Sequence, residues 1–219
     1  MIEELPIHRH IPRLKEILAG GRCAVVQAPP GAGKTTRIPL ALLDQPWLDN
    51  RKILLLEPRR LAARSCAAHM AALLNEPVGR TVGYQVSLDR RIGPETRIEV
   101  ITEGIFTRKI QQNPFLEEVG LVVFDEFHER SIHSDLGLAL ALDSFESLCS
   151  ELRLVVMSAT MDTSAVSALM NGALVIESRG KSHPVTTVYL PDQNRQKTAV
   201  SVEKRCAGVI DRMKNLLEI

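Results

Sequence analysis

Along the chain, short unbroken apolar runs alternate with longer segments whose apolar residues recur every three or four positions. Residues 23–28 (CAVVQA), 52–57 (KILLLE), 97–102 (RIEVIT), 120–125 (GLVVFD), 152–159 (LRLVVMSA) and 173–178 (ALVIES) have strand length and are largely rich in Val, Ile and Leu. They carry little polar alternation, so they read as strands buried on both faces, as in a parallel sheet. Residues 34–45, 59–76 and 134–148 carry the helical period instead. This order predicts βαβ units, hence an α/β fold with a doubly wound, mostly parallel sheet and helices on both faces. From Pro184 the pattern weakens. Residues 184–191 (PVTTVYLP) allow one more strand, and 201–219 read as a single amphipathic helix. The expected organisation is one domain over residues 1–185 and a connector with its helix over 186–219.

Composition narrows this picture without changing it. A chain of 219 residues, 45% hydrophobic and 24% charged, is long enough for one domain with a sizeable core and marginal for two. Its net charge of +1 means that any nucleic-acid surface must be a local basic patch. Cys23, Cys66, Cys149 and Cys206 are scattered with no C-x-x-C pair, which fits a reducing compartment. No window reaches the roughly 20 apolar residues of a membrane span, so a cytoplasmic protein without a membrane partner is expected.

In a doubly wound sheet, ligands lie beyond the carboxyl ends of the strands. The first strand ends in APPGAGKTT, residues 28–36, most of the phosphate-loop pattern G-x-x-x-x-G-K-[ST] with Ala28 at its first position. Residues Pro30, Gly31, Ala32, Gly33, Lys34, Thr35 and Thr36 form the candidate nucleotide-binding loop. Gly31 and Gly33 permit a tight turn whose N–H groups point at phosphate oxygens, and a helix starting near Lys34 offers its positive end to the same anion. Lys34 adds a full charge for the β and γ phosphates, and Thr35 a hydroxyl for Mg2+. The run LVVFDEFHERS, residues 121–131, then presents acids at a strand end, where burial is costly without a partner. Asp125 is placed to help hold Mg2+, and Glu126 to orient or deprotonate an attacking water. The adjacent HERSIH is not a zinc site: His128 and His133 are five apart, whereas one helix face requires four.

In order, APPGAGKT, EPRRLAA (57–63), TEG (102–104), DEFH (125–128) and SAT (158–160) resemble motifs I, Ia, Ib, II and III of superfamily 2 helicases. The extensions PRRLAA, VGYQV and HERS are similar to the DEAH/RHA group of ATP-dependent RNA helicases, with Phe127 giving DEFH in place of DEAH. The resemblance spans roughly residues 10–190, and five ordered motifs are far more specific than one. It implies a RecA-like P-loop NTPase fold, ATP or another NTP with Mg2+ as cofactors, and catalytic roles for Lys34, Asp125 and Glu126, with His128 coupling the site to the rest. It also implies that Arg59, Arg60 and Thr102 face single-stranded RNA, or DNA, and that Ser158 and Thr160 link hydrolysis to strand movement. His69 stands where the group usually has a base-stacking arginine. Nothing in the chain resembles motifs IV, V or VI, including the QRxGRAGR run of the second lobe. A first RecA-like lobe is therefore expected, whose partner is a second. A P-loop enzyme of another kind, or a nucleotide-gated binding module without turnover, would retain the same loop.

Overall fold

Strands without polar alternation need cover on both faces, and the computed structural model, which describes residues 5–148 and 151–178, supplies it. Strands β1 (Cys23–Gln27), β2 (Lys52–Glu57), β3 (Val82–Val86), β4 (Asp89–Arg91), β5 (Ile98–Thr102), β6 (Val119–Phe124), β7 (Arg153–Ser158) and β8 (Leu174–Glu177) form one sheet. Their order is β4-β3-β5-β2-β6-β7-β1-β8, and every neighbouring pair is parallel except β3 with β4. The helices are α1 (Ile11–Gly20), α2 (Lys34–Leu42), α3 (Arg60–Leu73), α4 (Glu103–Gln112), α5 (Ile132–Ser147) and α6 (Thr163–Leu169).

Two cores result, one on each face. Leu14, Ile38, Leu42 and Met70 of α1 to α3 pack with Val26, Ile53, Leu55 and Val123. Phe106, Leu138, Phe145 and Val166 of α4 to α6 pack with Leu54, Leu56, Val122 and Val156. Leu54 and Leu55 thus enter opposite cores, as the two-residue period of a strand requires. Each such side chain, fully buried, contributes about 1.5–3 kcal/mol. At the amino end of β7 even Arg153 is buried; its Nε donates to the Leu18 carbonyl at 2.7 Å and its guanidinium lies 4.3 Å above the Trp47 ring.

The strands predicted from the apolar runs all form, each within one or two residues of its expected bounds. One reading needs correction: the run at 173–178 is not buried on both faces. Ala173 is buried just before the strand, but within β8 Leu174 and Val175 are exposed and only Ile176 enters the core, because among the described residues β8 is an edge strand. At the opposite edge β3 carries Val82, Tyr84 and Val86 in alternation, whereas its hairpin partner β4, Asp-Arg-Arg, had no apolar signal of its own. Charge on an edge strand discourages pairing with another chain. A Cβ at Gly83 would collide with the Arg91 carbonyl oxygen, so glycine lets the two backbones approach. The expected strand at 184–191, the helix at 201–219 and the boundary at 185/186 lie outside the described residues. Among the described residues no helix is long and apolar enough to cross a membrane. Cys23 and Cys66 are free thiols, and burial pushes both up, Cys23 to about 11.

Candidate nucleotide site and nucleic-acid face

The parallel strands deliver their carboxyl ends to one rim. Beyond β1, the Ala28 amide donates to the Ser158 carbonyl at 3.0 Å, tying the loop to the end of β7. The chain then turns through Gly31 at φ +77° and Gly33 at φ +88° into α2. A Cβ on Gly33 would meet Leu5 Cδ1 at 2.6 Å and Ile7 Cγ2 at 3.3 Å, so the position excludes a side chain both sterically and by its left-handed backbone. No side chain caps α2. Its first amides are left for an anion, the usual complement of a helix N-terminus.

Lys34, only 3% exposed, reaches across β7 to Glu126, with Nζ 2.9 Å from Oε1. Thr35 Oγ1 donates to Asp125 Oδ2, and the Glu126 amide donates to Asp125 Oδ1 at 2.7 Å. Asp125 itself is anchored by its amide to the Leu56 carbonyl at 3.1 Å. Burial pushes its carboxyl up to about 6, although Lys34 and the Thr35 hydroxyl favour the charged form. Glu57, the last residue of β2, is 4% exposed at the same rim. Its burial, reinforced by repulsion from Asp125 and Glu126, pushes it up to about 8. Three acids with one buried lysine make a site short of positive charge. His128 Nδ1 lies 3.3 Å from Glu126 Oε2, without the angle of a hydrogen bond, and is otherwise buried without a partner.

A divalent cation fits this donor set. Thr35 and Asp125 supply one hydroxyl and one carboxylate from elements on either side of β7, and Mg2+ is commonly held by one or two such oxygens together with substrate phosphates and water. The raised carboxyl of Asp125 is one that a cation would return to its charged form.

Over residues 11–169 the sequence matches the DEAD/DEAH box helicase family. The chain belongs to that family. It is 48% identical over 190 residues to the ATP-dependent RNA helicase HrpB of Escherichia coli, covering 87% of this chain and 23% of HrpB. It is 33% identical to the HrpA homolog of Haemophilus influenzae, covering 86% of this chain and 14% of that protein. The crystal structure of the Escherichia coli DEAH/RHA helicase HrpB superposes with a TM-score of 0.84 and 46% identity, covering 95% of this chain and 26% of that one. The fold is therefore the RecA-like helicase domain, and the chain spans about a quarter or less of these relatives' length.

Around this helicase site, the other residues singled out by the motifs are dispersed. Arg59 caps α3 from its N-terminal side and Arg60 begins that helix; both are exposed. Neither is a free cation arm. Arg59 Nε and Nη2 donate to Glu129 at 3.3 and 3.0 Å, and Arg60 Nη2 donates to the Ser87 carbonyl at 2.8 Å. Thr102 ends β5 beside Glu57 in register and precedes α4, half-buried. Ser158 is fully buried with an unpartnered hydroxyl, whereas Thr160 is exposed beyond it. His69 is exposed on α3.

Glu57, Glu103 and Glu129 lie within the motif stretches EPRRLAA, TEG and HERS, but no role was expected of them. Glu103 accepts from Ser131 Oγ at 2.5 Å and so joins the start of α4 to the start of α5. Glu57 had one available signal: it is the last residue of a buried run, where this fold places ligands.

Proposed function

We propose that the chain is the ATP-binding lobe of an ATP-dependent RNA helicase, in which NTP hydrolysis is coupled to movement along single-stranded nucleic acid. The observation that carries this reading is the convergence of Lys34, Thr35, Asp125 and Glu126, from two segments 90 residues apart, on one rim of the sheet. Lys34 would exchange its contact with Glu126 for the β and γ phosphates, freeing Glu126 to take the proton of an attacking water. The amides of residues 31–36 would cradle the phosphates. Thr35 and Asp125 would hold Mg2+, which when bound neutralises charge on the phosphate oxygens. His128 would position Glu126, and Ser158 and Thr160 would carry the state of the site towards the bound strand. Arg59, Arg60 and Thr102 would read the backbone of the strand, giving salt-dependent binding with little sequence preference.

Calorimetric titration of MgATP tests the core of this reading. Binding by the parent chain and its loss in Lys34→Ala are expected, with GTP comparable to ATP because no residue is dedicated to a purine edge. Equal affinity in mutant and parent would overturn the loop assignment.

A further inference from the structure

Arg59 and Glu129 are 70 residues apart in sequence, yet they form a two-pronged pair. The carboxylate sets one oxygen on Nε at 3.3 Å and the other on Nη2 at 3.0 Å, the same edge of the guanidinium that grips a phosphate. Glu129 belongs to the single 3-10 turn Phe127–Glu129 that follows the site acids, and its amide donates to the Glu126 carbonyl at 2.9 Å. Glu126 and Glu129 therefore stand one turn apart, the first on Lys34 and the second on Arg59. Non-glycine residues with positive φ bound this turn, Glu126 at φ +48° and Arg130 at φ +41°. Such conformations are costly and persist only when held by their surroundings. Here the holders are Phe127, packed edge-on against Phe124 at 6.2 Å, and Arg130, forked onto Asp135 at 2.8 and 2.9 Å. Arg130 thus has its own acid, and Arg60 sits on a neutral carbonyl. Glu129 alone reaches out of the turn to neutralise an arginine on the expected nucleic-acid face.

We propose that Glu129 is a positioning residue that occupies Arg59 in the RNA-free chain, standing where a backbone phosphate of the strand binds, and that this phosphate displaces it. The proposal rests on the reading of Arg59 as a nucleic-acid contact. Both partners are accessible, with side chains 72% and 35% exposed, so phosphate can reach the pair. Exposed ion pairs are weak and screened by salt, which makes exchange of one anion for another feasible. Displacement frees Glu129 one turn from Glu126, so occupancy of the strand is communicated to the acid that faces the nucleotide.

The test is a double-mutant cycle on the affinity for a fluorescein-labelled 12-nucleotide oligouridylate, read by anisotropy at low salt, with melting temperatures taken alongside. Glu129→Gln should tighten binding about threefold to fivefold, and Arg59→Ala should weaken it by a similar factor. In the Arg59→Ala background, Glu129→Gln should change affinity less than about twofold. Equal tightening in both backgrounds would mean that only an acidic charge had been removed, and would overturn the proposal. So would unchanged or weaker binding in Glu129→Gln, the outcome of a purely structural role. If the parent's affinity ignores salt and is unaffected in Arg59→Ala, Arg60→Ala, the nucleic-acid reading itself fails; salt-dependent binding with a flat cycle sinks Glu129 alone.

Discussion

Asp125 and Glu126 are neighbours in sequence but occupy different surroundings. Asp125 is buried on Thr35, while Glu126 turns through a left-handed backbone onto Lys34. Their substitutions should therefore separate. In a protein containing both lobes, Glu126→Gln should leave Mg-nucleotide binding nearly intact while hydrolysis falls by roughly 10²–10⁴-fold, the usual cost of losing a general base. Asp125→Asn should weaken the dependence of binding on Mg2+, measured by titration at several metal concentrations. Glu57 gives a prediction of opposite character. Its carboxyl is raised to about 8 in the fold, so the folded chain binds a proton that the unfolded chain has released above about 4.5. The unfolded state then holds fewer protons, and stability falls as pH rises through this window, by up to about 1.4 kcal/mol per pH unit, until the folded carboxyl also ionises near 8. Urea melts of the nucleotide-free chain between pH 6 and 8.5 should show this decline, and Glu57→Gln, which resembles the protonated acid, should flatten it.

At the level of elements, the start of α5 is set by Ser131. Its hydroxyl accepts from the Ser134 amide while the Ser134 hydroxyl accepts from the Ser131 amide, both at 2.9 Å. Ser131→Ala should lower stability by about 1 kcal/mol in a denaturant melt, and Glu103 would lose its hydroxyl partner as well. Elements whose identity depends on local pattern were legible in the sequence. The buried run of β2 and the loop before α2 needed only their own residues to be recognised. The meeting of Lys34, Thr35, Asp125 and Glu126 was legible as well, because their residue types mark them as one candidate site before the fold brings them together. What was not legible depends on strand order. Glu57 joins the site because β2 lies beside β6, and Glu129 meets Arg59 because the same adjacency brings residue 129 to the start of α3. Strand β4 escaped for another reason: an edge strand made of charged residues gives no hydrophobic period, and Arg60 and Arg64 fasten it to α3 through Ser87 and Asp89. The exposed residues of β8 looked like core because a short apolar run reads alike at the edge and at the centre.

On the scale of the whole molecule, two cores clamp a sheet whose carboxyl rim carries both the glycine loop and the acids, so the candidate nucleotide site rests on a rigid support. No run of the sequence resembles the motif that supplies the arginine meeting charge on a transferring γ-phosphate, a contribution of roughly 10³–10⁵ in rate. In the proposed function that arginine comes from a second RecA-like lobe, whose closure also excludes water from the site. The most direct measurement is steady-state ATPase of residues 1–219, with and without single-stranded RNA, beside the same chain joined to such a lobe. Near-basal turnover indifferent to RNA in the first, and RNA-stimulated turnover in the second, are predicted; robust RNA-stimulated turnover by residues 1–219 alone, independent of protein concentration, would contradict the account.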